Sequence, residues 1–135
     1  MNIQVAVLCD AATDDHGKLN LLGAFDTIYT QQLPARHPQC SIALRVTFSS
    51  GDEGNHILQL NFVDADGHSI GKFPPIPVEV TLPEDLHFST RNFIVTLQQY
   101  QFENPGLYSI DLFMDDQPQA SIPLLVRYTP PPQPA

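Results

Sequence analysis

The chain has 135 residues, 42% of them hydrophobic, which is enough for one buried core and too few for two ordinary domains. Its 15 acidic and 6 basic residues give a net charge of −9, and the basic residues are scattered along the sequence. Because phosphate-rich surfaces are bound by clustered Lys and Arg, nucleic acids and anionic membranes are disfavoured as partners.

The first ten residues, Met1–Asp10, contain neither a basic segment nor a small-residue cleavage site, and their apolar run is too short to span a bilayer. We therefore expect them to form the first strand of a cytoplasmic domain. Cys9 and Cys40 fall in the apolar phase of their strands, which predicts two reduced, buried thiols. A Cys9–Cys40 disulfide is the alternative, and it would require an oxidising compartment.

Hydrophobic residues alternate with a period of two through most of the chain, which predicts half-buried strands. The segment Lys18–Tyr29 reads as one long strand kinked at Gly23, and Arg91–Phe102 reads as a strand with a bulge near Gln98–Tyr100. The other inward sets are Ile3, Val5, Val7 and Cys9; Cys40, Ile42, Leu44, Val46 and Phe48; Leu58, Leu60 and Phe62; Ile76, Val78, Val80 and Leu82; Tyr108, Ile110, Leu112 and Met114; and Ala120, Ile122, Leu124, Val126 and Tyr128.

Turn signals separate these strands at intervals of about ten residues. They are Asp14–Gly17, Ser50–Gly54, Asp64–Gly67 and Asp115–Pro118. Helical spacing of apolar residues is not sustained in any window, so the sequence predicts an all-β fold. We expect a single antiparallel sandwich of about seven to nine strands over residues 1–129, followed by a Pro-rich, disordered or polyproline II tail over residues 130–135.

The segment Asn104–Leu112 makes this architecture more specific. A Pro-Gly turn leads into an alternating strand, and Tyr108 follows Gly106 by two residues. This arrangement resembles the tyrosine corner of immunoglobulin-like sandwiches, in which the hydroxyl bonds back to nearby backbone. Gly106, Gly23 and Tyr108 are therefore predicted to be structural residues.

No catalytic set is recognisable in the sequence. The five histidines fall in predicted turns or at strand ends, and nothing resembles a nucleophile elbow, a dinucleotide-binding loop or a phosphate loop. His37 and Cys40 could offer two metal ligands, which is too few for a zinc site. We therefore predict no enzymatic activity and no cofactor.

The acidic turns are the one cluster whose side chains could serve as cation ligands. Asp64, Asp66 and Gly67 begin like a calcium loop, but the closing acidic ligand of that motif is missing. Asp14 and Asp15 could join Asp115 and Asp116 if their loops converge at one end of the sandwich. The alternative is that each Asp bonds its own turn backbone.

Some apolar residues fall in the outward phase of their strands: Leu8, Leu22, Phe113 and Leu125. If their strands are neighbours, these side chains form a contiguous contact surface for self-association or for a partner protein. The alternative is scattered exposed residues without a role.

Several segments together resemble a family of small bacterial cytosolic proteins of unknown function. They are Cys9–Ala12, Gly17–Ile28 and Leu33–Pro38, and the resemblance extends from the first strand to Tyr128. It implies a single β-sandwich domain and brings no activity or catalytic residue. In such a domain Gly17 would adopt the left-handed conformation of the first turn.

The sequence thus leaves the function open between two hypotheses. The first is a non-catalytic interaction module that works as a homo-oligomer or as an accessory to another cytosolic protein, with sheet edges able to accept a strand. The second is a domain that binds calcium or a small polar ligand through the acidic turns.

Overall fold

A computed structural model of the chain describes residues 1–133, and these residues form β-strands almost throughout. No helix among them is long and apolar enough to cross a membrane. Pro134 and Ala135, the end of the predicted tail, lie outside the described residues. The strands are β1 (Asn2–Asp15), β2 (Lys18–Phe25), β3 (Thr27–Thr30), β4 (Ala35–Ser49), β5 (Gly54–Val63), β6 (Ser69–Lys72), β7 (Ile76–Val80), β8 (Phe88–Phe102), β9 (Gly106–Met114) and β10 (Gln117–Tyr128), with a short 3₁₀ turn at Ser50–Asp52.

The strands form two sheets. One has the order β2-β1-β4-β8 and is called sheet A; the other has the order β3-β10-β9-β5-β6, with β7 also paired to β5, and is called sheet B. All pairs are antiparallel except β3 with β10, which is parallel. The predicted immunoglobulin-like sandwich is confirmed, with ten strands rather than seven to nine.

The core lies between the sheets and is built from the alternating residues of the long strands. Phe62 stacks on Tyr100 at 5.0 Å between ring centroids, and Phe102 meets Tyr108 edge-on at 5.1 Å. Such offset and edge-to-face pairs stabilise beyond their buried area. The fully buried side chains include Leu8, Ile42, Leu44, Val46, Phe48, Leu58, Phe62, Val78, Ile110, Leu112, Leu124 and Val126.

Leu8 is one of these core residues, so its predicted outward position is wrong. The β1–β4 register shifts between Ile3 and Val5, which makes Gln4 an extra residue on β1. A one-residue bulge reverses the side-chain phase of everything that follows. Leu8 therefore packs into the core at 1% exposure, whereas Val5, Val7 and Cys9 turn to the other face of sheet A.

Two further predictions on strand continuity need correction. The segment Lys18–Tyr29 is two strands, because β2 ends at Phe25 in sheet A and β3 begins at Thr27 in sheet B. The segment Arg91–Phe102 is one strand, as predicted, but its β4–β8 register is constant and contains no bulge. Instead, the left-handed residue Gln99, with φ +53°, reverses which side chains of the strand face the core.

The tyrosine corner has the predicted geometry. The Tyr108 hydroxyl donates to the carbonyl oxygen of Asn104 at 2.5 Å, and Tyr108 is 6% exposed. Gly106 begins β9 with φ +138°, a conformation that side chains disfavour. This bond fixes the β8–β9 connection to the beginning of β9.

Candidate interaction edge

The predicted cation ligands Asp64 and Asp66 lie in the β5–β6 turn, where His68 joins them. One ligand atom from each of the three lies within 4.8 Å of the others. Asp64 Oδ1 already accepts the backbone N–H groups of Asp66 at 3.0 Å and His68 at 2.9 Å. Half of this carboxylate therefore serves the turn itself, which is the ordinary role of Asp in such a position.

The other two acidic turns do not converge. Asp14 accepts a hydrogen bond from Asn92 of sheet A, whereas Asp115 is bonded to His56 and to the backbone N–H of Ile57, both in sheet B. The acidic site that would combine Asp14 and Asp15 with Asp115 and Asp116 is therefore not formed.

Both ring nitrogens of His56, near the start of β5, are in hydrogen bonds. Its Nδ1 lies 2.6 Å from Asp115 Oδ2, and its Nε2 lies 2.6 Å from the carbonyl oxygen of Asp52. A carbonyl can only accept, so Nε2 carries a proton, and the hydrogen bond to Asp115 raises the pKa of His56 above its usual value. With both nitrogens engaged, His56 links the 3₁₀ turn to the β9–β10 turn and has no free lone pair for a general base.

The predicted apolar contact surface does not form either. Leu8 is buried, and Leu22 projects from β2 of sheet A at 69% exposure. Phe113 and Leu125 share the outer face of sheet B, where Leu125 pairs with Leu107. Phe113 lies six residues along β9 from Leu107, or about 20 Å at the rise of a strand. The four predicted residues therefore lie in four separate places.

The β1–β2 hairpin, residues 10–25, folds back over the outer face of sheet A. A straight β1 would carry its tip past Ser41, the partner of Cys9 in β4. Instead the Gly17 carbonyl at the tip accepts hydrogen bonds from Arg45 Nη1 at 2.9 Å and Asn92 Nδ2 at 3.2 Å. Arg45 is level with Val5, so the tip has returned towards the start of β1.

This fold-back accounts for three buried residues on a face that no sheet covers. Cys9, Ser41 and Ala43 point away from the sandwich core by their strand phase, yet they are 0%, 4% and 0% exposed. The hairpin thus adds a partial third layer to sheet A. Cys9 and Cys40 are both free and buried, but only Cys40 belongs to the sandwich core, where burial raises its thiol pKa to about 11.

The bend of the hairpin lies at Asp10 and Gly23, which stand opposite each other between the pairs Cys9–Ala24 and Ala11–Leu22. Gly23 has φ +67°, and a Cβ at this residue would clash with the Asp10 carboxylate. Both observations require glycine, in agreement with the structural role predicted for Gly23.

The sheet edges differ in how well they could accept another strand. On β7, the Glu79 carbonyl accepts Arg91 Nη1 at 2.9 Å, so this carbonyl points towards β8. Pro77, two residues earlier, turns to the same side and has no N–H. A missing donor and an occupied acceptor close this edge to strand pairing.

The remaining edges other than β8 are also blunted. The beginning of β1, which β2 does not cover, contains the bulge at Gln4. Leu125 N donates to Asp26 O beside β3, so Pro123 turns to that same side of β10 without a donor. On β2, the left-handed Gly23 leaves five regular residues, and β3 and β6 have four residues each. Bulges, prolines and short strands are the usual protections of an edge.

β8 is the exception among the edges of residues 1–133. It has 15 residues and pairs only with β4. From Phe88 to Gln98 it contains no proline and no register shift, and Arg91 is its one charged residue. The sequence already contained this signal, a 15-residue stretch with a single charge in a strongly acidic chain, but only the topology shows that the strand lies at an edge.

An open groove of about 1080 Å³ runs beside the first half of this edge, between β7 and β8. Ser89 and Arg91 of β8 line one wall, Pro77 and Glu79 of β7 line the other, and His56 also contributes to the lining. A strand added to β8 would direct its inward side chains into this groove, since side chains alternate across a strand.

These features define a small immunoglobulin-like β-sandwich domain with one unprotected edge strand. The model of a family of unknown function, DUF6941, matches residues 4–127. The chain therefore belongs to the DUF6941 family. No curated protein is similar to it in sequence.

Two solved structures show a limited similarity to this chain. An immunoglobulin-like protein from Pseudomonas aeruginosa has 12% identity and a TM-score of 0.34, over 89% of this chain and 91% of that one. The alkylpurine DNA glycosylase AlkC of Pseudomonas fluorescens, solved with DNA containing an abasic-site analogue, has 8% identity and a TM-score of 0.45. This match covers 75% of the present chain and only 27% of the glycosylase chain.

Proposed function

We propose that this domain is a non-catalytic protein-interaction module that binds an extended partner strand along the free edge of β8. The observation that carries the proposal is the contrast between β8 and every other edge of the described residues. Main-chain hydrogen bonds to such an edge give affinity, and side chains that enter a neighbouring groove give specificity. The groove between β7 and β8 supplies that second element.

The proposal also places the module in the cytoplasm, where its two cysteines would remain thiols. Cys9 and Cys40 are unpaired and buried on opposite faces of sheet A, and a reducing compartment maintains this state.

Site-specific photocrosslinking tests the edge directly. A photoreactive amino acid replaces Thr96, which is exposed on β8, and a matched variant carries it at Gln119, which is exposed on β10. In cells of the source organism we expect adducts from position 96 and none from position 119. No adduct at position 96, or equal adducts at both positions, would overturn the proposal.

A second candidate function rests on the Asp64, Asp66 and His68 cluster, whose ligand atoms are close enough to hold a cation. A bound cation would raise the melting temperature of the native protein by mass action. A rise with millimolar calcium that is lost in Asp64→Asn with Asp66→Asn would support calcium binding. An unchanged melting temperature would remove this candidate and leave the carboxylates with their turn role.

A further inference from the structure

We infer that the strand received by β8 is the β8 strand of a second copy of this chain, paired antiparallel across a two-fold axis. This inference rests on the proposed function, because it names the occupant of the same edge. It would join two four-stranded sheets into one continuous sheet of eight strands.

The charge distribution permits this occupant at the β8 edge. Each copy carries a net charge of −9, so two copies repel over most of their surfaces. The segment Asn92–Phe102 has no charged residue, so two copies can pair along it without placing like charges of the paired strands against each other. A basic partner strand would find no carboxylate along this segment to bind.

The chemistry of the strand also suits self-pairing. The regular uncharged part before the left-handed Gln99 is Asn92–Gln98, and its midpoint is Val95. A two-fold axis at Val95 sets Phe93 opposite Leu97, Ile94 opposite Thr96, and Asn92 opposite Gln98. Apolar residues then face apolar or β-branched residues, which are favourable cross-strand pairs. The Asn92 side chain, opposite Gln98, stays bonded to Asp14 and Gly17 and adds no pair across the axis.

The alternation of side chains fits the same arrangement. Directly opposed residues of antiparallel strands point to the same face. Phe93 and Leu97 point into the sandwich, whereas Ile94 and Thr96 point outwards. Opposing them in this register continues the inner and outer faces of sheet A across the two-fold axis without a phase change.

A single strand pair buries less area than a standard stable interface. We therefore expect a reversible dimer with a dissociation constant on the order of micromolar, which must be sought over a wide concentration range.

Charge exchange at Thr96 tests the inference. Thr96→Lys and Thr96→Glu each place like charges diagonally across the two-fold axis, so each variant alone should self-associate about two- to fivefold more weakly than wild type. An equimolar mixture of the two variants should regain the dimer. Gln119→Lys and Gln119→Glu serve as controls that should dimerise like wild type. Sedimentation over a concentration series measures all of these samples.

The outcomes separate this inference from the proposed function. Wild type that remains monomeric at every concentration, unaffected dimerisation of both Thr96 variants, or a mixture that stays monomeric would overturn the self-pairing. If position 96 nevertheless crosslinks to a different protein, the β8 edge function stands and its occupant is that protein. If position 96 gives no adduct, both fail.

Discussion

The side-chain amide of Asn92 donates to the carboxylate of Asp14 over 2.8 Å, and this bond joins the tip of the β1–β2 hairpin to the edge strand β8. Together with the two hydrogen bonds to the Gly17 carbonyl it forms a latch that holds the hairpin on sheet A. The latch covers the outer face of the sheet and leaves the edge of β8 uncovered.

Loss of the latch should expose Cys9. In Asn92→Leu the hairpin loses its bonds to β8, and each such hydrogen bond contributes about 1 kcal/mol. Loss of the two bonds, about 2 kcal/mol together, should let a thiol reagent label Cys9 up to about thirtyfold faster, with the sites resolved by mass spectrometry. Cys40 is the internal control, since it lies in the sandwich core. Equal acceleration at Cys9 and Cys40 would indicate general unfolding and contradict the latch.

The tyrosine corner should be measurable as stability. Tyr108→Phe removes the hydroxyl that donates to the Asn104 carbonyl and should lower the free energy of unfolding by about 1 kcal/mol or more. Urea denaturation measures the difference. Tyr29→Phe is the matched control, because Tyr29 is 72% exposed, and its stability should equal that of wild type. An unchanged free energy of unfolding in Tyr108→Phe would mean that the tyrosine-corner hydrogen bond does not stabilise the fold.

Gly23→Ala should destabilise the hairpin bend. Left-handed φ costs a side chain about 1–2 kcal/mol, and the new methyl group would also displace the Asp10 carboxylate. Gly51→Ala makes the same chemical change at a residue with negative φ and open space around its Cβ, so it should have little effect. Thermal denaturation of both variants tests this. Equal melting temperatures for the two variants would mean that the bend does not require glycine.

His56 should make stability depend on pH near neutrality. Its hydrogen bonds with Asp115 and the Asp52 carbonyl raise the folded-state pKa above the ordinary value of 6.5. The stabilisation is therefore complete below 6.5 and is lost as the pH rises through the raised pKa. His56→Gln should flatten the fall in urea midpoint between about pH 6 and about pH 8. His87→Gln is the exposed control, and its urea midpoint should fall with pH as in wild type. An equal fall in His56→Gln would show that His56 is not the source of the pH dependence.

The sequence predicted the sandwich and its corner because both depend on local signals, namely the period-two alternation and the Pro-Gly-x-Tyr spacing. The sequence-based prediction was wrong where a single residue changes which side chains of a strand face the core or ends the strand. Gln4 moved Leu8 into the core, and the change of sheet at Asp26 divided one predicted strand into two. No local pattern announces a bulge or a crossing between sheets, since both are decided by contacts with distant strands.

The candidate site was less accessible from the sequence than the fold. Strand edges were named as possible interaction surfaces, but which strand lies at an edge is a property of topology. Likewise, the hairpin is predictable from its turn, whereas its return over Ser41 and Ala43 depends on side-chain bonds from Arg45 and Asn92. The predicted apolar patch failed because its residues were assigned to a face by phase alone.

Residue-resolved amide exchange along β8 in dilute protein tests the central claim, that this edge is free to accept a strand, most directly. In an antiparallel edge strand alternate N–H groups bond the neighbouring strand and the others face outwards. We predict that slow and fast exchange alternate through residues 92–98 in the monomer, and that the fast amides become protected as the concentration rises. Slow exchange at every one of these amides in the most dilute sample would show that the edge is already closed and would contradict the account.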